Sequence, residues 1–362
     1  MSFVRRLPFP PWTILIPPLA VVLLAVTWGH KPPGVVLAIV GVFLAGAVLA
    51  AVHHAEVVAH RVGEPFGSLV LAVAVTVIEV ALIVTLMVSG GDETSTLARD
   101  TVFAAAMITC NGIVGISLLL GALRRGVASF NAEGTGTALA TVAALATLCL
   151  VLPTYTTSRP GPEFSTAQLT FAAIASLVLY GTFVFVQTIR HRDYFLPVGS
   201  HSDEEHAPPP PTRAALFSLA LLFVALIDVV GLAKTESKPI EDAVEGAGFP
   251  HSAVGVVIAL LVLLPETLAA VRASRRDRVQ TSLNLAFGSA MASIGLTIPA
   301  IAIASIWLEG PLILGLGSNE TVLLAITIVV GALTVVPGRA TVQEGVVHLV
   351  LLGAFIFLAL NP

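Results

Sequence analysis

The chain has 362 residues, of which 56% are hydrophobic and only 11% charged, with a formal net charge of -4. Soluble domains carry about 25% charged residues, so a mean hydropathy of +0.95 excludes an ordinary soluble enzyme and leaves an all-α polytopic membrane protein. The net charge does not point to nucleic acid as a partner, and two cysteines within apolar stretches, Cys110 and Cys149, form neither a disulfide framework nor a metal-thiolate site.

A transmembrane helix needs about 20 apolar residues. Eleven stretches meet that need, at roughly 12–29, 34–58, 65–89, 100–122, 135–153, 166–189, 213–233, 250–271, 279–307, 320–337 and 343–360. Arg5 and Arg6 flank the first as they would a signal peptide, but Pro17-Pro18 and the lack of a small-residue cleavage site before His30 predict a retained helix. With a cytoplasmic N-terminus, the 18 lysines and arginines divide 13 inside to 5 outside. This positive-inside bias predicts a multi-pass membrane protein whose N-terminus is cytoplasmic and whose C-terminus lies outside.

The longest polar break, RHRDYFLPVGSHSDEEHAPPPPTR at 190–213, contains four consecutive prolines. It reads as a solvated cytoplasmic linker kept extended by polyproline, although His201, Asp203, Glu204, Glu205 and His206 could also meet cations. The expected organisation is an N-terminal tail and first helix (1–33), a five-helix repeat (34–190), the linker (191–212) and a second five-helix repeat (213–362). An odd number of helices per repeat makes the second enter the membrane from the opposite side. Secondary transporters use such an inverted-topology repeat to build a midplane site.

Two glutamates fall at matching places in the repeats: Glu79 in FGSLVLAVAVTVIEVALIVTLM and Glu266 in VGVVIALLVLLPETLAAV. A carboxylate near mid-bilayer costs at least about 2.5–3.5 kcal/mol, so its presence points to use. Pro265, before Glu266, removes a backbone hydrogen bond and frees carbonyl oxygens in the preceding turn. Carboxylates with nearby oxygens suit a hard cation such as calcium, which takes about six to eight oxygen ligands. Thr76, Thr109, Asn111, Ser289 and Ser293 could supply them, and no Cys or His cluster has zinc spacing. Burial raises a carboxyl pKa and a bound cation lowers it, so protons and cation compete, most simply as two protons per calcium. Asp228, inside the seventh helix, reads as a proton-path or gate residue, and Glu56 and His348 are candidates for the same role. His53, His54 and Glu56 lie near the cytoplasmic end of the second helix. His348, in the last, is one turn from Glu344 and could pair with it. Arg272, Arg275, Arg276 and Arg278 form a cytoplasmic basic cluster that fixes topology and can touch anionic lipid of the bilayer.

Residues 55–83, AEVVAHRVGEPFGSLVLAVAVTVIEVALI, and 265–299, PETLAAVRASRRDRVQTSLNLAFGSAMASIGLTIP, resemble the two signature repeats of the cation/calcium exchanger superfamily, in its cation/proton antiporter branch. The resemblance implies that Glu79 and Glu266 bind cation and protons at one central site. It implies also that Gly288 and Ser289 are the second repeat's Gly-Ser pair, and that Glu56 is an acid preceding the first signature on the cytoplasmic side. Where vacuolar-type members carry Gly-Asn before each glutamate, this chain has Val75-Thr76 and Val262-Leu263, and a glutamine expected after the Gly-Ser pair is replaced in Gly288-Ser289-Ala290-Met291-Ala292. The Pro265-Glu266 form is similar to bacterial ChaA-type calcium/proton and sodium/proton antiporters, which implies residence in a bacterial inner membrane. The expectation is a calcium/proton antiporter working by alternating access without a cofactor, with inorganic cations and protons as its partners. A sodium- or potassium/proton antiporter is the alternative; a passive channel or an intramembrane hydrolase is more distant. No H-E-x-x-H or G-x-S-x-G motif supports the hydrolase.

Overall fold

The computed structural model describes residues 10–30, 32–63, 66–90, 95–197, 209–250, 252–307 and 310–361. Arg5, Arg6, Lys31 and the linker residues His201, Asp203, Glu204, Glu205 and His206 lie outside the described residues. In chain order the helices are α1 Pro11–Thr27, α2 Gly34–Val62, α3 Phe66–Gly90, α4 Leu97–Arg125, α5 Ala132–Tyr155, α6 Thr166–Arg190, α7 Thr212–Gly246, α8 Ser252–Val262, α9 Leu264–Arg275, α10 Val279–Ala304, α11 Ser318–Val335 and α12 Val342–Leu360. Each of the eleven expected segments coincides with one helix or, for the eighth, with the pair α8 and α9. Among the described residues nine helices are long and apolar enough to cross a membrane, and the bent pair makes ten. The remaining segment, α1, is apolar but shorter, at 17 residues.

Local chemistry explains where these helices start and stop. Asn131 caps α5 by accepting from the backbone N–H groups of Glu133 (2.9 Å) and Gly134 (3.1 Å). Capping boxes open α6 (Ser165 with Gln168) and α12 (Thr341 with Glu344). The chain leaves α2 through Gly63 at φ 77°, a conformation that favours glycine. Pro265 has no N–H, so the Leu261 carbonyl loses its helical donor, and α8 and α9 meet at 52°.

The chain forms two compact units, Met1–Gly90 with His206–Ala243, and Gly91–Glu205 with Val244–Pro362. In the first, α2 packs against both α1 and α3, and α7 approaches α1 where Gly231 faces Leu24. In the second, α4 is the central element, buried along most of its length and contacted by α8, α9, α10 and α12. Its crossing with α12 is the tightest kind that helices make. A Cβ at Gly345 would lie 2.8 Å from the Leu119 backbone nitrogen, and one at Gly115 would lie 3.0 Å from the Gly345 carbonyl oxygen. Close backbone approach through small residues is how helices gain packing energy where lipid removes the hydrophobic driving force.

Two short strands, β1 Ala128–Ser129 and β2 Arg339–Ala340, pair antiparallel with Ala128 opposite Ala340, tying the loop after α4 to the loop before α12. The start of the polar linker is docked on the same unit. Arg192–Phe195 form a 3-10 turn, Asn284 Nδ2 donates to the Phe195 carbonyl at 2.6 Å, and the Phe195 ring meets Phe183 edge to face at 5.6 Å. The extended character expected of residues 191–212 therefore does not begin at 191.

Candidate cation-binding site

Each unit holds one of the two glutamates. In the first, Glu79 lies on α3 and is only 2% exposed, flanked by the buried Ile78, Leu82 and Ile83. Thr76 precedes it by three residues, on the same side of the helix. The Thr76 hydroxyl is buried and makes no hydrogen bond among the described residues, unlike helical threonines that bond back to their own backbone. Asp228 on α7 is 0% exposed, and neither of its carboxylate oxygens finds a hydrogen-bond partner among the described residues. Toward the start of α1, the buried His54 of α2 donates from Nε2 to the Thr13 carbonyl at 3.0 Å, and His53 lies with its ring against that of His54. This pair therefore anchors α1 on α2. Glu56, on the same helix, is exposed.

In the second unit Glu266 occupies the first turn of α9, immediately after the break at Pro265. A helix N-terminus favours a negative charge through its unpaired N–H groups. The break and the first turn thus place a freed carbonyl near a carboxylate. Opposite α9, the middle of α4 is wound as a π-turn, Ile108–Ile113, which lies against α9, α10, α11 and α12. π-Turns inside α-helices recur at functional positions because they shift the backbone by one residue. On α10, Ser289 is half-buried and Ser293 buried. A Cβ at Gly288 would meet nothing within 4 Å. Helix packing does not require that glycine; its lack of a side chain leaves room.

The π-turn carries Thr109 and Asn111, both fully buried. Thr109 donates back to the Ala105 carbonyl at 2.7 Å. Asn111 is committed at both ends of its amide. Nδ2 donates to Thr327 Oγ1 at 2.9 Å, and Oδ1 faces His348 Nδ1 at 3.1 Å. Because Oδ1 can only accept, Nδ1 of His348 carries the hydrogen, and Nε2 accepts from the Thr334 hydroxyl at 3.2 Å. His348 is thereby satisfied on both nitrogens in its neutral form.

The expected pairing of His348 with Glu344 is incorrect. Glu344 turns back to cap its own helix, accepting from Thr341 N at 2.8 Å and from the Thr341 hydroxyl. An exposed carboxylate at a helix start is better used on unpaired N–H groups than on a buried imidazole one turn along. Thr327 and Thr334 do carry a signal in the sequence: they stand two turns apart on one face of a helix that is otherwise apolar after its first turn. Replacing His348 by Leu leaves the Asn111 and Thr334 groups unpaired in the interior, a loss of about 1–3 kcal/mol for each such group. His348→Asn, whose amide reaches the Nδ1 position but not Nε2, should lose only the Thr334 bond and melt between the parent and His348→Leu in detergent.

Among the described residues no three His, Cys, Asp or Glu side chains converge as a resident metal site would require. Cys110 and Cys149 are buried free thiols.

The family model for "sodium/calcium exchanger protein" matches residues 33–189 and 217–361. The chain belongs to this exchanger family. It is 46% identical to the protein y4hA of Sinorhizobium fredii, over 99% of this chain and 98% of that one. With the sodium-potassium/proton antiporter ChaA of Escherichia coli the identity is 34%, covering 95% of this chain and 94% of ChaA. The solved structure of native YfkE, a Ca2+/H+ antiporter, superposes with a TM-score of 0.72 at 16% identity, over 97% of this chain and 99% of that chain, a likeness that bears on fold. The protein is accordingly a transmembrane ion exchanger rather than an enzyme, and the ions are its substrates rather than cofactors.

Proposed function

We propose that the chain is a cation/proton antiporter in which Glu79 and Glu266 bind the exported cation and the entering protons in competition. The observation that carries this reading is a carboxylate within a membrane span of each unit, one almost fully buried and one at a helix break, in a chain of the exchanger family. The unpartnered Thr76 hydroxyl and the open space at Gly288 support the same residues as the surroundings of an ion. Calcium is the primary substrate on charge balance: two ionised glutamates neutralise one calcium ion, and two protons neutralise the same pair. Asp228 is a third protonatable group on the route. The arginine asymmetry supports a cytoplasmic N-terminus, and the bacterial relatives support residence in a plasma membrane.

A second reading, sodium or potassium in place of calcium, is favoured by one specific feature. The Asn111 amide is bonded at both ends, so one lone pair of its oxygen is already committed and it has less capacity to fill calcium's large ligand shell. The similarity to ChaA, named for sodium and potassium, supports the same alternative.

Purified protein in liposomes carrying an internal pH dye distinguishes the two readings. External calcium, sodium, potassium or magnesium should each be tried, and the substrate is the ion that drives saturable proton movement. The pH dependence adds a count. Below the range where the carboxylates titrate, protons hold the site, so apparent cation affinity must fall as pH falls. The fall is about 100-fold per pH unit if two protons leave for each ion, and about 10-fold if one does. Proton movement with none of the four ions, or an affinity independent of pH, would rule the proposal out.

A further inference from the structure

The ends of α1 and α7 enclose a cavity of about 470 Å³, a size within the usual range for small-molecule pockets. Its walls include Thr27, Trp28, His30, Lys234, Lys238 and Asp242, all in the first unit. The cavity exists because α7 comes close to α1 just before it: a Cβ at Gly231 would lie 2.4 Å from Leu24 Cδ2. Beyond that contact α1 stops at Thr27 and the chain turns at Gly29, whose φ is 74°, while α7 continues. One helix therefore overhangs the end of the other.

The overhanging stretch of α7 carries the acids Glu236, Glu241, Asp242 and Glu245, yet of its charged residues only Lys234, Lys238 and Asp242 line the cavity. Lys234 and Lys238 are one turn apart, so both ammonium groups belong to the same side of the helix. Lys234 is held in place, with its Nζ 5.2 Å from the centre of the Trp28 ring. Trp and Lys at the end of an apolar span are the residues that mark the headgroup level of a bilayer. Asp242, one further turn along, offsets one positive charge. Lys234, Lys238 and Asp242 together leave a single net positive charge among the described lining residues, and His30 Nδ1 donates to the Trp28 carbonyl at 3.0 Å. That balance suits a singly charged phosphodiester better than a doubly charged phosphate. The rest of the lining, with Leu37, Pro32 and Pro239, is apolar, as the glycerol and upper acyl carbons of a lipid need.

We infer that this cavity binds the phosphodiester of an anionic phospholipid headgroup, with Lys234 and Lys238 as the phosphate ligands and Trp28 as the platform that orders Lys234. The lipid bridges the end of α1 to α7. The inference does not depend on which ion the protein carries.

The test is a lipid titration of the purified full-length protein, read by native mass spectrometry and by the rise in thermal stability. The additions are phosphatidylglycerol, phosphatidylcholine and inorganic phosphate. The expected result is saturable binding of phosphatidylglycerol in preference to phosphatidylcholine, about five-fold weaker for each of Lys234→Gln and Lys238→Gln. Asp242→Asn should bind more tightly, an opposite change that misfolding cannot imitate. Equal binding of the two lipids, unchanged affinity in both lysine variants, or weaker binding by Asp242→Asn overturns the inference. Occupation by inorganic phosphate in the same concentration range as the lipid replaces the lipid with a free anion and overturns it too.

Discussion

Glu79→Gln and Glu266→Gln will each reduce cation-driven proton movement in liposomes by more than about 100-fold, since even residues behind a metal's direct ligands typically change affinity 10- to 100-fold. Glutamine keeps the size and polarity of the side chain but can neither take up a proton nor neutralise a cation. Both halves of the cycle fail at once. The two positions differ in what surrounds them. Glu79 is almost fully buried on α3, and glutamine fills the same space, so Glu79→Gln should melt close to the parent. Glu266 sits at the start of α9, where an anion is favourable, so Glu266→Gln should be slightly less stable. Folding is therefore checked by thermal unfolding alongside transport. Wild-type turnover in either well-folded variant would remove that glutamate from the mechanism.

The largest effect on stability is expected at the crossing of α4 and α12. Gly345→Val places methyl groups where the Leu119 backbone nitrogen and Cα already lie at 2.8 and 3.0 Å from a Cβ position. Backbone cannot turn aside as a side chain can, so the helices must separate. Overpacking of this kind typically costs about 1–3 kcal/mol, and backbone contact puts this case at the upper end, about 3 kcal/mol. His348 follows Gly345 by three residues on the same helix, so separation also pulls the imidazole from Asn111. Gly353→Val is the control, because a Cβ there meets nothing within 4 Å. Thermal unfolding in detergent should show a large loss for Gly345→Val and little change for Gly353→Val. Similar melting of the two variants would mean that the crossing is looser than the structure has it.

Much of the architecture could be read from the residues because the bilayer leaves few options. Every backbone group within lipid must be bonded inside its own helix, so long apolar runs become helices wherever they occur. The expected segment 100–122 is found as Leu97–Arg125, and 213–233 as the first part of Thr212–Gly246. Pro265 was readable in the same way, because its missing N–H acts locally whatever the surroundings, and α8 does end within three residues of it. The π-turn at Ile108–Ile113 was not readable. No proline in ITCNGI marks a break, and the contacts of this turn with α9, α10, α11 and α12 are all distant in sequence.

The side-chain pairings divide similarly. Ser165 with Gln168, and Thr341 with Glu344, are short-range partners whose geometry follows from helix spacing. His348 has its partners 237 and 14 positions away, and the nearer acid, Glu344, competes successfully for a different task. Sequence periodicity places a residue on a face of a helix; it does not say which other helix that face will meet. The amino-acid sequence thus established a polytopic helical exchanger with an acid in each half, since composition, span length and buried charge are properties of local segments set against the bilayer. The commitment of Asn111 to His348 and Thr327, the Gly115–Gly345 crossing and the basic cavity beside Trp28 came from the folded chain alone. Each of these depends on helices distant in sequence packing at a particular distance, and packing is a property of surfaces in contact rather than of any segment.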